Sequence, residues 1–232
     1  MKLAALITAT SITLGAAALG TAAFAQKPPS PKLIQQLDAS SRSFRSAQAN
    51  VSKDNYTYVV RAHDMQSGTI FIERKGSTVA MGATVMDPGA QKPSKIVSFD
   101  GNTLQLYDVG TNSVDILKAG SNQAKYQSYL TLGFGGSGTE LARAWNINDL
   151  GPETINGVSC EKLDLTPKDP SIARTFTHVT IWIDPVRDVS TKQIFYAPNK
   201  DTQTAIYSDI RLNAPINTKP FSIPSKATRN YR

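Results

Sequence analysis

Beyond its first fifty residues the chain breaks into short β-rich runs joined by tight turns, and it shows no β-helix-β alternation. The runs are Tyr56–Val60, Gly68–Arg74, Thr78–Met86, Lys95–Phe99, Thr103–Tyr107 and Ser113–Leu117, and they resume at Glu153 with Cys160–Leu165, Phe176–Asp184, Val189–Tyr196 and Thr204–Leu212. Asp100-Gly101-Asn102 and Asn156-Gly157 are hairpin turns, and Pro198-Asn199-Lys200-Asp201 separates the last two runs. Consecutive strands with short connections pair antiparallel. About ten or eleven strands in one open sheet curl strongly, so the expected fold is mainly β, an antiparallel barrel, complete or split. Residues 121–150 interrupt the pattern with a helix at Gln123–Leu130, a glycine-rich loop at Gly133–Gly138 and a second helix over Glu140–Trp145, begun by Thr139. At the other end Ser30 caps and Pro31 opens a helix over 31–48, with Leu33, Ile34, Leu37, Phe44 and Ala47 close to helical spacing. The tail from Lys219 is expected to fray.

Residues 1–25 read as an export signal: Lys2, an apolar stretch from Leu3 to Leu19, then Ala23-Phe24-Ala25 as a small-x-small cleavage site. The apolar stretch is short and Ala-rich for a membrane span. Cleavage after Ala25 leaves one domain, 26–232, with a net charge of +6 in place of +7. One Cys excludes a disulfide framework or multi-cysteine metal site, and two His exclude a three-histidine centre. Cys160 reads as a small apolar filler. No metal and no cofactor are expected.

Strand parity divides the apolar residues. Val179, Ile181 and Ile183 share one face, Ile206, Ile210 and Leu212 another, and Ile70 and Ile72 oppose Phe71. Strongly aliphatic faces suit a sheet wrapped around an apolar interior, either a filled core or a cavity, and periodicity does not separate the two. Arg74 has the parity of Ile70 and Ile72. It either points inward, where backbone carbonyls would have to receive its guanidinium, or stands solvated beyond the strand end.

Catalytic motifs fail. Gly133-Phe134-Gly135-Gly136-Ser137-Gly138 matches G-x-G-x-x-G with a helix after it, but only one of the three contexts that the dinucleotide fingerprint requires is present, and an antiparallel hairpin follows in place of a parallel strand. Gly133, Gly135, Gly136 and Gly138 read instead as hinge positions of a helical lid. Gly136-Ser137-Gly138 lacks the nucleophile-elbow pattern, and neither His63 nor His178 has an evident Ser or Cys partner. The cations are scattered without aromatic interleaving, which fits an anionic lipid surface better than nucleic acid.

Taken together, these segments resemble the periplasmic outer-membrane lipoprotein carrier family, LolA-like, with its related receptor LolB, over about residues 31–224. Gly68-Thr-Ile-Phe-Ile-Glu-Arg-Lys-Gly76 is similar to the family's glycine, short strand and Arg-Pro element. Ile96-Val-Ser-Phe-Asp-Gly-Asn-Thr-Leu-Gln-Leu-Tyr107 is similar to its aspartate–glycine hairpin. Leu165-Thr-Pro-Lys168, Asp201-Thr-Gln-Thr-Ala-Ile-Tyr207, Asn213 and Phe221 follow in the family's order. Lys75 stands in place of the family proline and Gln105 in place of the hairpin tryptophan, and the glycine-rich segment is not a family hallmark.

The resemblance implies a half-open, incomplete antiparallel β-barrel lidded by helices, with an apolar cavity for lipoprotein acyl chains or another lipid, and it places on Arg74 the arginine that ties the lid. Parity then nominates Ile70, Ile72, Val179, Ile181, Ile183, Ile206 and Ile210 as cavity lining. The implied role is a monomeric, non-enzymatic periplasmic carrier, loaded by an inner-membrane ABC-type transporter and unloaded to an outer-membrane acceptor. Two other classes stand beside it. One is an RseB-like sensor of envelope lipoprotein stress, which would normally carry a second domain. The other is an exported hydrolase, which would need an acid–base pair that the motifs lack.

Overall fold

The computed structural model describes residues 27–120 and 132–232. The leader and the helix expected at Gln123–Leu130 lie outside the described residues. Helix α1 (Pro31–Ser43) begins as its residues dictate: Ser30 accepts a hydrogen bond from the Leu33 N–H, and Leu33 and Leu37 form its buried face. It stops at Ser43 rather than 48. Phe44 is already extended, and Asn213 Oδ1 accepts from the N–H groups of Arg45 and Ser46 at 2.7 and 3.2 Å, drawing the backbone into a strand. Phe44 and Ala47 continue the helical spacing by coincidence; both are buried with Ile72 and Val79 against the sheet.

Twelve strands follow: β1 (Ser46–Thr57), β2 (Ala62–Lys75), β3 (Thr78–Val85), β4 (Lys95–Phe99), β5 (Thr103–Asp108), β6 (Ser113–Lys118), β7 (Trp145–Ile155), β8 (Val158–Pro167), β9 (His178–Asp184), β10 (Val189–Tyr196), β11 (Thr202–Leu212) and β12 (Thr228–Tyr231). Among the described residues two short helices interrupt them, α2 (Gly138–Ala144) and α3 (Pro170–Ala173). All strands belong to one sheet in the order β12-β6-β5-β4-β3-β2-β1-β11-β10-β9-β8-β7. Every ladder is antiparallel except that of β12 with β6. The sheet is mainly hairpins and is not closed into a barrel.

Several boundaries differ from the sequence reading. The run Tyr56–Val60 is not a strand. Strand β1 ends at Thr57, and residues 58–61 form the turn into β2, with the Arg61 N–H bonded to the Tyr58 carbonyl. The first part of β1 is Ser, Ala, Gln and Asn, poor strand formers; pairing with both β2 and β11 overrides that composition. Strand β7 begins at Trp145, directly after α2, instead of at Glu153. Ser137 rather than Thr139 caps α2, because Thr139 is engaged by Asp38 of α1. The tail is docked rather than frayed: a 3-10 turn at Lys219–Phe221 buries Phe221 edge-on to Phe71, and β12 pairs with β6.

A bulge alters one face assignment. Between the pairs Gln48↔Arg211 and Asn50↔Ser208 strand β11 carries extra residues, with Asp209 at φ 49°. Parity flips there. Tyr207, Ile210 and Leu212 share a face, and Ile206 lies on the other, aligned across strands with Lys192 and Trp182.

The two faces are covered differently. One packs Val179, Ile181, Ile183, Leu163 and Leu165 against Leu33 and Leu37 of α1, Leu132 and Trp145. The opposite face packs Phe71, Ile96, Tyr107, Val114 and Ile116 under Phe221 and Ala227 of the C-terminal segment.

Candidate functional site

The helices and the glycine-rich loop cover the concave face of the sheet, and a cavity of about 410 Å³ lies between them. Leu37 and Phe44, the segment Leu132–Ser137, Leu141, Ala144 and Trp145, and Val79, Ile181 and Ile183 form most of its wall. Arg74, Ser77, Glu140, Arg143 and Asp188 supply the polar part.

Three elements set this geometry. The first is the joint between α1 and α2. Thr139 donates its backbone N–H (2.9 Å) and its hydroxyl (2.7 Å) to the Asp38 carboxylate, which those hydrogen bonds hold below the ordinary range for an aspartate. Gly138 lets the helices meet: a Cβ there would lie 2.5 Å from the Ile34 carbonyl oxygen.

The second element is the loop 132–137, which is pinned at every turn. The Ser190 N–H donates to the Gly133 carbonyl (2.8 Å), and Gln193 Nε2 donates to the Leu132 carbonyl (2.6 Å). The Tyr207 hydroxyl in turn donates to Gln193 Oε1 at 3.0 Å, so strands β10 and β11 jointly hold the loop's first residue. Phe134 makes a bridge with Val189 and is 2% exposed, edge-on to Tyr207 at 4.9 Å. Gly135 has φ 72°, and a Cβ there would sit 2.3 Å from the Phe44 ring. The loop expected as a slack joint is thus a packed plug in this state, with Phe134 filling the concave face among Ile70, Ile72, Ile210 and Tyr207.

The third element is Arg74, at the end of β2. Its Nη2 donates to the Gly135 carbonyl at 2.8 Å, and its guanidinium carbon stands 6.0 Å from the Phe44 ring centroid. Arg74 remains exposed, so the tie is a latch at the mouth rather than a buried ion pair.

The residues nominated from sequence separate into groups. Ile181 and Ile183 line the cavity, as do Gly133, Gly135 and Gly136. Ile70, Ile72 and Ile210 surround Phe134 instead, and Val179 lies in the core beneath α1. Ile206 is on the far face, because the bulge at Asp209 reverses its parity. Gly138 is at the helix joint, not at a hinge of the loop.

Sequence reasoning passed over Phe134 and Asp188. A single large aromatic within a run of glycines was the available signal for the first. For Asp188 no local signal exists. It is placed by the tight β9–β10 connection, at φ 55°, and its Oδ1 is buried with no hydrogen-bond partner among the described residues. Burial, reinforced by the charge of Asp184, pushes its carboxyl above the ordinary range, against the opposing Ser40 hydroxyl. Cys160 is buried beside the Thr191 hydroxyl at 3.2 Å, and burial raises its thiol. Among the described residues no group of three His, Cys, Asp or Glu side chains is placed to hold a metal ion.

No family model matches the chain. No curated protein matches it in sequence. Solved structures share its architecture. An uncharacterized conserved protein from Thermus thermophilus superposes with a TM-score of 0.55 at 9% identity, covering 87% of this chain and 98% of that one. MucB superposes with a TM-score of 0.52 at 13% identity over 87% of this chain, which spans 66% of the length of MucB. A putative outer membrane lipoprotein-sorting protein domain from Vibrio parahaemolyticus aligns at 13% identity and a TM-score of 0.45, over 82% of this chain and 94% of that domain. The chain shares its fold with the Thermus thermophilus protein and with MucB, and at these identities the likeness is one of fold alone.

Proposed function

We propose that this protein is an exported carrier that shields the acyl chains of a lipoprotein, or of another lipid, between its concave sheet and its helical lid, and conveys them towards the outer membrane. The observation that carries the reading is the cavity of about 410 Å³, whose wall mixes apolar side chains such as Leu37, Phe44, Trp145, Ile181 and Ile183 with polar ones, closed by a loop that a single exposed arginine latches.

The physical need is clear. Each methylene left in water costs about 0.8 kcal/mol, so two or three long chains cost on the order of 20–40 kcal/mol to carry unshielded. The cavity lies in the lower part of the roughly 300–1,000 Å³ typical of small-molecule sites, so cargo with several chains requires the loop 132–137 to move. Release of Arg74 from Gly135 would remove one of the loop's ties, leaving those to Ser190 and Gln193 at its first two residues. Withdrawal of Phe134 would then join the cavity to the apolar surface of Ile70, Ile72, Val189 and Tyr207. One such hydrogen bond contributes about 1 kcal/mol net, weak enough for cargo to open the latch. The glycines at 133, 135 and 136 would serve as its hinge. No covalent step is required. An inner-membrane transporter would load the carrier and an outer-membrane acceptor would empty it.

The test is binding of a fluorescent fatty acid by the mature chain, displaced by a di- or triacylated lipopeptide. Saturable binding and competition are expected. A chain that takes up neither probe nor lipopeptide would end the reading. The likeness to MucB favours a second reading, a protein that engages a partner protein, since MucB has been solved in complex with MucA. That reading predicts stable capture of a protein partner with or without lipid, whereas the carrier hands its cargo on.

A further inference from the structure

The turn between β1 and β2 breaks the rules that govern turns. Its residues are Tyr58, Val59, Val60 and Arg61, closed by the Arg61 N–H on the Tyr58 carbonyl. Central turn positions favour Gly, Pro, Asn, Asp and Ser; two β-branched residues are poorly suited to them. They are also bare: Val59 is 82% and Val60 68% exposed, and Tyr58 is 46% exposed. Neither valine belongs to a buried cluster among the described residues.

Their place in the molecule is as specific as their composition. Strands β1 and β2 pair from Ser46↔Glu73, beside Arg74, to Thr57↔Ala62 at the turn. The tip therefore stands a full strand length from the latch, roughly 40 Å at the usual rise per residue. Residues 62–66 of β2 have β1 on one side and no strand on the other. The hairpin thus ends as a convex projection, not as a groove.

Cations frame the tip. Lys200, from the neighbouring β10–β11 turn, places its Nζ 4.8 Å from the centre of the Tyr58 ring, and Arg61 follows the valines directly. Neither Lys200 nor Arg61 makes an ion pair among the described residues. The nearby acids are otherwise engaged: Asp201 accepts from the Tyr58 N–H and Asn199, Asp54 is paired with His63 at 2.9 Å, and Asp64 accepts from Gln66.

We infer that this hairpin tip is a docking point for a lipid surface, with Val59 and Val60 entering the boundary of the acyl region while Tyr58, Arg61 and Lys200 sit among anionic headgroups. An aromatic ring with long cationic side chains around an apolar point is the composition that partitions to the membrane–water boundary. A bilayer accepts a small convex wedge, whereas a stable protein interface needs a broad complementary patch that a four-residue tip does not offer. The site is separate from the cavity, and docking does not depend on what the cavity holds.

The test is co-sedimentation of the mature chain with vesicles of phosphatidylcholine alone and with added phosphatidylglycerol, for wild type, Val59→Asp/Val60→Asp and Val60→Trp. Wild type is expected to bind the anionic vesicles, less so at high salt. The double Asp variant is expected to lose roughly tenfold or more in partitioning, the factor that follows from one lost apolar side chain. Its fatty-acid uptake and thermal midpoint should be unchanged, because these positions touch neither cavity nor core. Val60→Trp should show a blue-shifted emission quenched by brominated lipid, against the buried Trp145 and Trp182. Equal vesicle binding by wild type and the double variant overturns the inference, as does wild type that binds neither vesicle. If the emission of the Val60→Trp variant does not change on anionic vesicles, the inference also falls, and a protein partner becomes the reading of the tip.

Discussion

At the scale of single residues, Arg74 and Asp188 make opposite demands. Arg74 is exposed and its bond to Gly135 is replaceable by water, so Arg74→Leu should leave the fold intact, with a thermal midpoint lowered by no more than about 4 °C. Its expected effect is on exchange: a fluorescent fatty acid should dissociate faster from the variant in stopped-flow displacement. Equal dissociation rates would remove Arg74 from the mechanism. Asp188 is held with a raised carboxyl, which sets the sign of its pH dependence. An acid that binds its proton more tightly when folded gives full stability below the ordinary carboxylate range and loses it as pH climbs through the raised folded value. Asp188→Asn, which tolerates the same positive φ, should therefore equal wild type near pH 3 and exceed it at neutral pH, measured as melting temperature against pH. The place of Arg74 at the end of its strand was legible, because strand parity is a local property, although parity left an inward and a solvated side chain open. Asp188 was not, since its burial comes from α1 and β9 meeting a turn, a juxtaposition no local pattern encodes.

At the scale of elements, the loop 132–137 carries the distinctive physics. Phe134 is buried at a site that the proposal assigns to cargo. Phe134→Ala should cost about 3–5 kcal/mol of packing in that loop, yet raise the uptake of a fatty-acid probe by emptying the plug position. An affinity that falls together with stability would mean that Phe134 is only core. Gly135→Ala acts in the other sense. Its Cβ would collide with the Phe44 ring at a positive φ, so the closed loop should be disfavoured and its amides should exchange faster. The glycine run and the following helix were readable from composition, but the contacts that hold the run in its closed place were not. Glycines that are needed for close approach and glycines that confer freedom look alike until their neighbours are known. The same limit explains the helix drawn through Phe44 and Ala47 and the misassigned face of Ile206. Periodicity reports spacing, while one side-chain amide at Asn213 and one bulge at Asp209 reset direction.

At the scale of the whole molecule, the succession of hairpins made the open β architecture legible almost throughout, because hairpin topology needs only turn chemistry and alternation. The C-terminal strand was one exception, beside most of β1 and the first half of β7. Its residues Thr228–Tyr231 are all exposed and dock through backbone pairing with β6, helped by Asn230 and Arg232 on Asp115. Removing residues 228–232 should therefore change the melting temperature little while baring the β6 edge, and concentration-dependent association should appear in size-exclusion chromatography with light scattering. A strictly monomeric truncated chain would show that the edge needs no cover. The ladder itself runs without a break from β12 to β7 and does not return to its start. A sheet left open in this way has a seam between its edge strands, β12 and β7. Spreading the seam stretches no inter-strand hydrogen bond, because none crosses it. The bore of such a ring is set by twist and by what lies inside rather than by a fixed strand count, so one scaffold accommodates contents of different girth at nearly constant backbone energy.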